Sequence, residues 1–338
     1  MFILKSYIFL SLIYLMLFFL TKKLNFLQSK YFSKHQKLIG SETIPQIGGL
    51  IFFIFIVINF SDFNYYVILF SFFILILGIS SDLNYLASPS KRLLLQCLII
   101  LIFLCFFDYR INDLRINQFE YIFSSVYFKY IFTAFCILIL INGSNFIDGS
   151  NGLNLGYFFL VLLVVQILKI DNSIFIENNI ILISLIGISF LFILNFFNYL
   201  YLGDSGAYLL SFVIGNILIY LHNINSNISP YFIALLLWYP AFENFFSIIR
   251  KKVNKINPID PDTNHLHQLI FKFLVNKNKI LNNYSNQITS LIIILYNLVI
   301  FSFSINFITK TNLMVSLIVF NVLMYLGAYY YLLKKLSK

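Results

Sequence analysis

Residues 126–170 read VYFKYIFTAFCILILINGSNFIDGSNGLNLGYFFLVLLVVQILKI, two apolar runs joined by a polar segment at 142–156. Each run approaches the length of about 20 apolar residues that a helix needs to cross a bilayer. A turn between two such helices needs only one or two glycine or asparagine residues. Segment 142–156 holds several of both, together with Asp148. The stretch therefore predicts a membrane fold with a functional cluster at the junction of two spans.

The composition of the whole chain is that of an integral membrane protein. Its 338 residues are 60% hydrophobic and 11% charged, with a mean hydropathy of +0.87. Soluble domains average about 45–50% apolar and about 25% charged residues. The net charge of +10 is explained by the excess of Lys and Arg in cytoplasmic loops, so we expect no nucleic-acid partner. The cysteines stand inside apolar runs without paired spacing, which indicates neither a disulfide framework nor a metal site.

Eleven apolar runs predict an all-α, polytopic helical bundle of about 10–11 transmembrane helices. They cover residues 2–21, 46–60, 64–80, 92–107, 126–142, 153–170, 174–195, 205–222, 230–248, 287–308 and 312–333. Lys22 and Lys23 follow the first run, whereas a signal peptide has its charges in front, so we interpret this run as a retained span. We expect one transmembrane domain over 1–338, with the motifs in 40–275 and two further spans in 276–338.

The positions of Lys and Arg predict the orientation of the bundle. Of these 23 residues, 17 lie in one set of alternating loops. Loops enriched in Lys and Arg face the cytoplasm, so the N-terminus is predicted outside and the C-terminus inside.

Five polar segments fall on the predicted cytoplasmic face. They are TIPQIGG (43–49), SSDLNYLASPSKRLL (80–94), NFIDGSNGL (145–153), YLGDSGAYL (201–209) and NPIDPDTNHLHQL (257–269). The opposite loops hold no comparable segment. A membrane protein that gathers its carboxylates, glycines and histidines on one face is expected to have its functional site there.

Asp82, Asp148 and Asp204 each stand at the cytoplasmic mouth of a predicted span. A carboxylate at membrane depth is costly and is usually paired, bound to a metal or facing water. Three carboxylates can converge on one cation, and their oxygens suit Mg²⁺, which also holds substrate phosphates. Each aspartate alone is compatible with a turn or a helix cap. Three on one face, two of them flanked by glycine, favour a site.

The histidine segment carries His265 and His267 in the sequence HLH. This spacing is poor for zinc, because residues two apart do not share a helix face. The histidines are compatible with phosphate binding or proton transfer, and equally with a solvated loop. Just before this segment, Glu243 lies inside the ninth span and is expected to face the bundle interior. The basic run 250–255 is explained by the cytoplasmic flank, with anionic lipid headgroups as additional partners.

Together, the five segments resemble, in order, the motifs of the polyprenyl-phosphate N-acetylhexosamine-1-phosphate transferases, the MraY/WecA family (glycosyltransferase family 4). TIPQIGGL is similar to PTPxxGG, and SSDLNYLASPSKRLLLQ is similar to DDL…SPxxRLLxQ. NFIDGSNGLNLG is similar to NxIDGxDGLxxG, YLGDSGAYLLSF to FxGDSGSLxLG, and PDTNHLHQLIF to PDxxHxHH. The resemblance implies transfer of a sugar 1-phosphate from a UDP-sugar to polyprenyl phosphate, with release of UMP, and dependence on Mg²⁺ (Mn²⁺ as an alternative).

The resemblance also implies roles for individual residues. Asp204 and Asp82 correspond to metal-associated positions, and Asp82 is the candidate if any base acts. Asp148 corresponds to the nucleotide-sugar pocket, Tyr201 to the aromatic position that stacks on uracil, and His265 and His267 to the loop near the diphosphate. Catalytic roles are thus expected for Asp82, Asp148, Asp204, His265 and His267. Substrate contacts are expected for Asn145, Asn151, Gly152, Asn195, Tyr201, Arg250 and Asn264.

The chain departs from the family pattern at several positions. Ser81 replaces the first aspartate of the Asp-Asp pair, Asn151 replaces the second acidic residue of DGxDG, and Gln46 stands at a basic position. The spacing from Asn195 to Asp204 is one residue short. These changes make the site less anionic. Together with PAFENFFSIIRK at 240–251, they are similar to a less-studied MraY-like branch.

Two other functions compete with the transferase. A transporter for a lipid-linked sugar would be expected to have internal repeats and polar sites in mid-membrane, whereas these polar segments lie at one face. A catalytically silent, lipid-binding relative is compatible with Ser81 and Asn151, although it would not need the aspartates and histidines together. The transferase is the favoured function, and the formation of a homodimer stays open.

Overall fold

The computed structural model describes residues 2–28, 44–116, 120–171, 174, 179–255, 257, 263–277 and 284–337. Fourteen α-helices lie within these ranges. They are α1 (Phe2–Leu24), α2 (Gly48–Ile58), α3 (Tyr65–Asp82), α4 (Pro89–Phe106), α5 (Glu120–Phe123), α6 (Val126–Ile147), α7 (Leu153–Ile170), α8 (Ile180–Phe196), α9 (Gly203–Ile224), α10 (Pro230–Leu236), α11 (Trp238–Val253), α12 (Leu266–Lys277), α13 (Ser285–Ser304) and α14 (Thr311–Leu336). The β-pairing in the described ranges is one isolated bridge between Gln28 and Pro45. The all-α prediction is confirmed.

Seven of the described helices are long and apolar enough to cross a membrane, and α10 with α11 forms an eighth candidate if the bent pair is one span. The helices α2, α7 and α8 are apolar but shorter. Each of the eleven predicted runs thus contains an apolar helix. On α1, α4 and α14 most apolar side chains are exposed or only partly buried, as expected for helices that contact lipid. Which terminus lies outside stays a prediction.

The predicted ninth span, 230–248, is formed by two helices instead of one. The chain breaks at Leu237, and α10 and α11 meet at an angle of 73°. Pro240 has no N–H group to continue the ladder of α10, although proline is tolerated in the first turn of the following helix. The bend places α11 against α6, so that the Glu243 side chain is buried inside the bundle.

Among the seven long apolar helices, α9 is the most buried, and it packs closely against α3. At Gly78 a Cβ atom would lie 2.3 Å from the Cα of Ser205, a distance that no side chain tolerates. This glycine allows the two backbones to approach each other. Their contact brings the last residue of α3, Asp82, beside the first turn of α9, which carries Asp204.

Candidate active site

Asp82 holds the beginning of α9. Its Oδ1 accepts a hydrogen bond from the N–H of Asp204 at 2.8 Å, and its Oδ2 accepts one from the N–H of Ser205 at 3.1 Å. Unpaired N–H groups and the positive end of the helix dipole favour a carboxylate at this position. Gly203 has a φ of 74°, and a Cβ there would lie 2.8 Å from Asp82 Oδ2. Asp82 therefore fixes the helix turn that carries Asp204.

Asp204 is the centre of a polar cluster that remains open to solvent. A quarter of its side chain is exposed. Its Oδ2 accepts hydrogen bonds from Ser81 Oγ at 2.5 Å, Arg92 Nη1 at 2.7 Å and the Tyr208 hydroxyl at 3.3 Å. Its Oδ1 accepts no hydrogen bond from the residues that the structure describes. One carboxylate oxygen is thus held by the protein, and the other is available to a ligand.

Asp148 adds a third carboxylate to this region. It follows the last turn of α6, where its N–H donates to the carbonyl of Ser144 at 3.1 Å. Burial raises the pKa of the Asp148 carboxyl well above its usual range, and the negative charges of Asp204 and Asp82 raise it further. The three aspartates therefore interact electrostatically, although they lie 56 or more positions apart in the sequence. Arg92 is the cation paired to Asp204.

The carboxylates fit a divalent cation that takes only some of its ligands from the protein. In the described ranges, no three His, Cys, Asp or Glu side chains are close enough to enclose a metal ion by themselves. Mg²⁺ usually keeps several waters and is bound by one or two carboxylates plus substrate phosphates. Two features suit such a partial site. The aspartates repel one another, and a cation would relieve this repulsion. In addition, Oδ1 of Asp204 is free of hydrogen bonds to the described residues and could bind the cation.

The nucleotide-sugar segment predicted around residues 145–153 is held by asparagine side chains. Gly152, with a φ of 79°, precedes α7, and its N–H donates to Asn195 Oδ1 at 2.6 Å. Asn195 Nδ2 donates to the carbonyl of Leu200 at 3.0 Å. Asn151 is hydrogen bonded to Asn198. The amides of Asn195 and Asn151 are thus engaged within the protein, and they shape the turn beside Asp148.

Asn145 and Tyr201 occupy different surroundings. Asn145 is half-buried in the last turn of α6, and its side chain has no hydrogen bond to the described residues. It is therefore available to a ligand beside Asp148. Tyr201 is buried, and its N–H donates to the carbonyl of Pro45 at 2.9 Å. Its own carbonyl accepts from the N–H of Gly48 at 3.2 Å. Tyr201 thus joins the TIPQIGG segment to α9.

The two histidines are buried beside the Asp148 turn. His267 Nε2 would lie 3.0 Å from a Cβ atom at Gly149, and the ring of His265 lies 5.0 Å from that of Phe146. Burial lowers the pKa of His267 to about 3, with a further contribution from His265, while the carboxylate of Glu243 opposes the shift. His267 is consequently neutral at physiological pH. Residues 258–262, the first part of the histidine segment, lie outside the described residues.

Arg250 fixes the histidine loop from α11. Its Nη1 donates to the carbonyl of Asn264 at 2.6 Å, and its guanidinium lies 5.6 Å from the ring centres of both Phe246 and Tyr329. The Asn264 side chain is exposed. At the next residue, the N–H of His265 donates to Gln268 Oε1 at 3.1 Å, and this bond caps α12. Arg250 is therefore placed to hold the loop, and Asn264 is accessible to a ligand.

Four residues that contribute to this region were not predicted as site residues. Arg92 and Tyr208 contact Asp204, and Glu243 contacts the histidine loop. Lys251 is buried, with 3% of its surface exposed. Its Nζ lies 6.0 Å from the Phe146 ring. For Glu243 and Lys251 the sequence carries a signal. Glu243, Ser247 and Lys251 are spaced four residues apart, and residues at this spacing share one helix face.

Comparisons with known proteins agree with the motifs. The sequence model of the family described as glycosyl transferase family 4 matches residues 64–222. This range includes the three aspartate segments and ends before the histidine loop. The probable undecaprenyl-phosphate N-acetylglucosaminyl 1-phosphate transferase of Bacillus subtilis (strain 168) is 25% identical over 252 residues, which is 70% of this chain and 68% of that protein. Residues 64–222 are thus similar to glycosyl transferase family 4, in agreement with the five motifs, whose described parts lie at one end of the all-α bundle.

Proposed function

We propose that this protein transfers a sugar 1-phosphate from a UDP-sugar to polyprenyl phosphate. The observation that carries the proposal is the contact between the aspartate segments and the histidine loop at one end of the bundle, where Asp204 is open to solvent and His267 faces the Asp148 turn. The relative from Bacillus subtilis is named for undecaprenyl phosphate and N-acetylglucosaminyl 1-phosphate. An N-acetylhexosamine donor and undecaprenyl phosphate are accordingly the first substrates to test.

The reaction joins two anions. An oxygen of the lipid phosphate attacks the phosphorus that carries the sugar, and a new P–O bond forms. The bond from this phosphorus to the oxygen shared with the uridine-side phosphate breaks, and UMP leaves with the electron pair. The lipid phosphate is already an oxyanion at neutral pH, so the attack needs little help from a general base.

The cluster around Asp204 would receive the phosphates. Asp204, through its unbonded Oδ1, and Asp82, through remaining lone pairs, would hold Mg²⁺. When bound, the ion would offset the charge of the substrates and polarise the reacting phosphoryl group. Arg92 supplies a guanidinium beside the same carboxylate, and a guanidinium binds phosphate oxygens well. In this proposal Arg92 orients the acceptor phosphate.

The turn around Asp148 would receive the nucleotide sugar. Asn145 and Asn264 have accessible amides next to this turn and the histidine loop, and they would donate or accept hydrogen bonds. Neutral His267 would accept a hydrogen bond from a hydroxyl or amide N–H group of the nucleotide sugar. Since the aspartate and histidine segments occupy the end of the bundle that the Lys and Arg count assigns to the cytoplasm, we place the reaction there, at the inner membrane of a bacterium, as the first step of a cell-surface glycan.

The test is release of UMP by the purified full-length chain in detergent. The assay contains undecaprenyl phosphate, Mg²⁺ and a panel of UDP-sugars, each omitted in turn. UMP that forms only when lipid, metal and one donor are present supports the proposal and identifies the sugar. Folded protein that binds the lipid but releases no UMP with any donor would contradict it, and would favour a silent relative or a transporter.

A further inference from the structure

A second polar cluster lies behind the histidine loop, and its centre is Glu243 on α11. This side chain has no exposed surface. Its Oε1 accepts a hydrogen bond from the N–H of Leu266 at 2.8 Å, and its Oε2 accepts one from the hydroxyl of Tyr325 on α14. A buried carboxylate is costly unless its oxygens are paired in this way. Glu243 therefore connects the beginning of α12 with the last span.

Both histidines turn the same ring edge towards this carboxylate. The Nδ1 atom of His265 lies 3.4 Å from Glu243 Oε1, and that of His267 lies 4.0 Å from the same oxygen. The two rings are nearly parallel, with an interplanar angle of 14° and centres 5.7 Å apart. The opposite edge of His267, with Nε2, points at Gly149 in the nucleotide-sugar segment. Glu243 thus lies on one side of the histidines and the candidate active site on the other.

This geometry decides where the proton of a neutral imidazole resides. A ring whose Nδ1 carries the proton presents a positive N–H edge to the carboxylate, whereas a lone pair at Nδ1 would be repelled by it. With the proton on Nδ1, the Nε2 atom is an acceptor on the side of the Asp148 turn. Carboxylate partners fix the ring orientation and tautomer of histidines in the same manner in metal sites and catalytic triads.

We propose that Glu243 is a positioning residue, which holds the rings of His265 and His267 and keeps their protons on Nδ1, so that Nε2 of His267 faces the nucleotide sugar. Tyr325 supports this role, because its hydroxyl fixes the second carboxylate oxygen from α14. The effect on turnover rests on the proposed function. The effect on the tautomer does not, since it follows from the protein alone.

The experiment compares four forms of the full-length chain in detergent: wild type, E243Q, E243D and W238F. E243Q keeps an oxygen for the N–H of Leu266 but removes the charge, and E243D retains the charge. W238F is the matched control on α11, because it removes a buried hydrogen bond of 2.8 Å to Asn297 that does not touch the histidines. The chain has four histidines, so selective ¹⁵N labelling of histidine gives resolvable spectra, assigned with H265N and H267N.

The expected result is that wild-type His267 at neutral pH carries its proton on Nδ1, and that E243Q shifts the ring towards the Nε2–H tautomer. Turnover in E243Q should fall about 10- to 100-fold, with the KM for the UDP-sugar changed less than about 3-fold. E243D should recover part of the turnover and the wild-type tautomer. W238F should match wild type in both readouts, within about 3-fold in turnover.

Two results would overturn the inference. One is an identical His267 tautomer in wild type and E243Q. The other is turnover in E243Q within about 3-fold of wild type, which would leave Glu243 with a role in packing only. If wild-type protein transfers no sugar 1-phosphate at all, the proposed function fails, and the ¹⁵N spectra still decide whether Glu243 sets the tautomer.

Discussion

The cluster around Asp204 and the cluster around Glu243 differ in their access to solvent and in their neutralisation. Asp204 pairs with Arg92, and each side chain keeps more than a fifth of its surface exposed. Glu243 is fully buried and accepts its hydrogen bonds from a backbone N–H and a tyrosine hydroxyl. The open cluster can exchange its partners for a phosphate or a cation, whereas the buried cluster can only hold its neighbours in place. This contrast assigns chemistry to the first and positioning to the second.

The largest expected effect belongs to the open cluster. Replacing Asp204 by Asn removes the carboxylate with the unbonded oxygen and should lower UMP release by about 1,000-fold or more. The matched control is S211A on the same helix, because the Ser211 hydroxyl donates to the carbonyl of Ala207 in its own helix. S211A should retain turnover. Near-wild-type turnover in D204N would remove Asp204 from the mechanism.

Arg92 is expected to come next. R92Q removes the cation beside Asp204 and should lower turnover by about 100-fold, because the acceptor phosphate loses its guanidinium partner. R92K keeps the charge without the planar fork and should lie between R92Q and wild type. The measurement is the rate of UMP release at several concentrations of polyprenyl phosphate. A loss in R92Q that is accompanied by unfolding would instead indicate that Arg92 only stabilises the beginning of α9.

The buried cluster should reveal itself in stability rather than in phosphate binding. His267 has a pKa of about 3 in the folded protein, below its usual value of about 6.5. Between these values the unfolded chain binds more protons, so the free energy of unfolding falls as the pH drops below about 6.5, by at most about 1.4 kcal/mol per pH unit. Thermal unfolding of wild type and H267Q at pH 7 and pH 5 measures this term. An equal loss in both proteins would assign it to other groups.

The smallest effect is expected from restoring the missing carboxylate of the family pattern. In S81D the new carboxylate would stand beside Asp204 and Arg92, in place of the Ser81 hydroxyl. We expect folded protein whose Mg²⁺ concentration for half-maximal activity falls about 3-fold. S81N has a similar size without the charge and serves as the control. Failure of S81D to fold would show that Ser81, which is buried, is required for packing.

The sequence predicted the helices and the meeting of the segments better than the contacts inside them. Apolar runs are long enough to identify spans, and the alternation of the loops assigns the five segments to one face. The hydrogen bond from the N–H of Asp204 to Asp82 agrees with that assignment. The sequence does not predict the bend at Leu237, because an apolar run does not show where the backbone hydrogen bonds of a helix are interrupted. The contact between Arg92 and Asp204 joins positions 112 residues apart, and no local pattern specifies such a pair.

Single side chains also have partners in the fold that the sequence does not specify. Asn195 was predicted to contact the substrate, yet both ends of its amide bond to the backbone of neighbouring segments. A motif identifies a residue that the site needs without saying whether it contacts the ligand or holds the residue that does. The sequence predicts Lys251 as part of a basic cytoplasmic flank, and in the structure its side chain is buried.

The most direct test of the division between the two clusters is the binding of Mn²⁺, a paramagnetic substitute for Mg²⁺, measured by electron paramagnetic resonance in the presence of a UDP-sugar. The account predicts that wild type and E243Q bind the ion equally, because Glu243 only positions the histidines. It predicts that D204N does not bind the ion at the same concentration. Binding that survives in D204N, or is lost in E243Q, would contradict the assignment of the phosphate chemistry to Asp204.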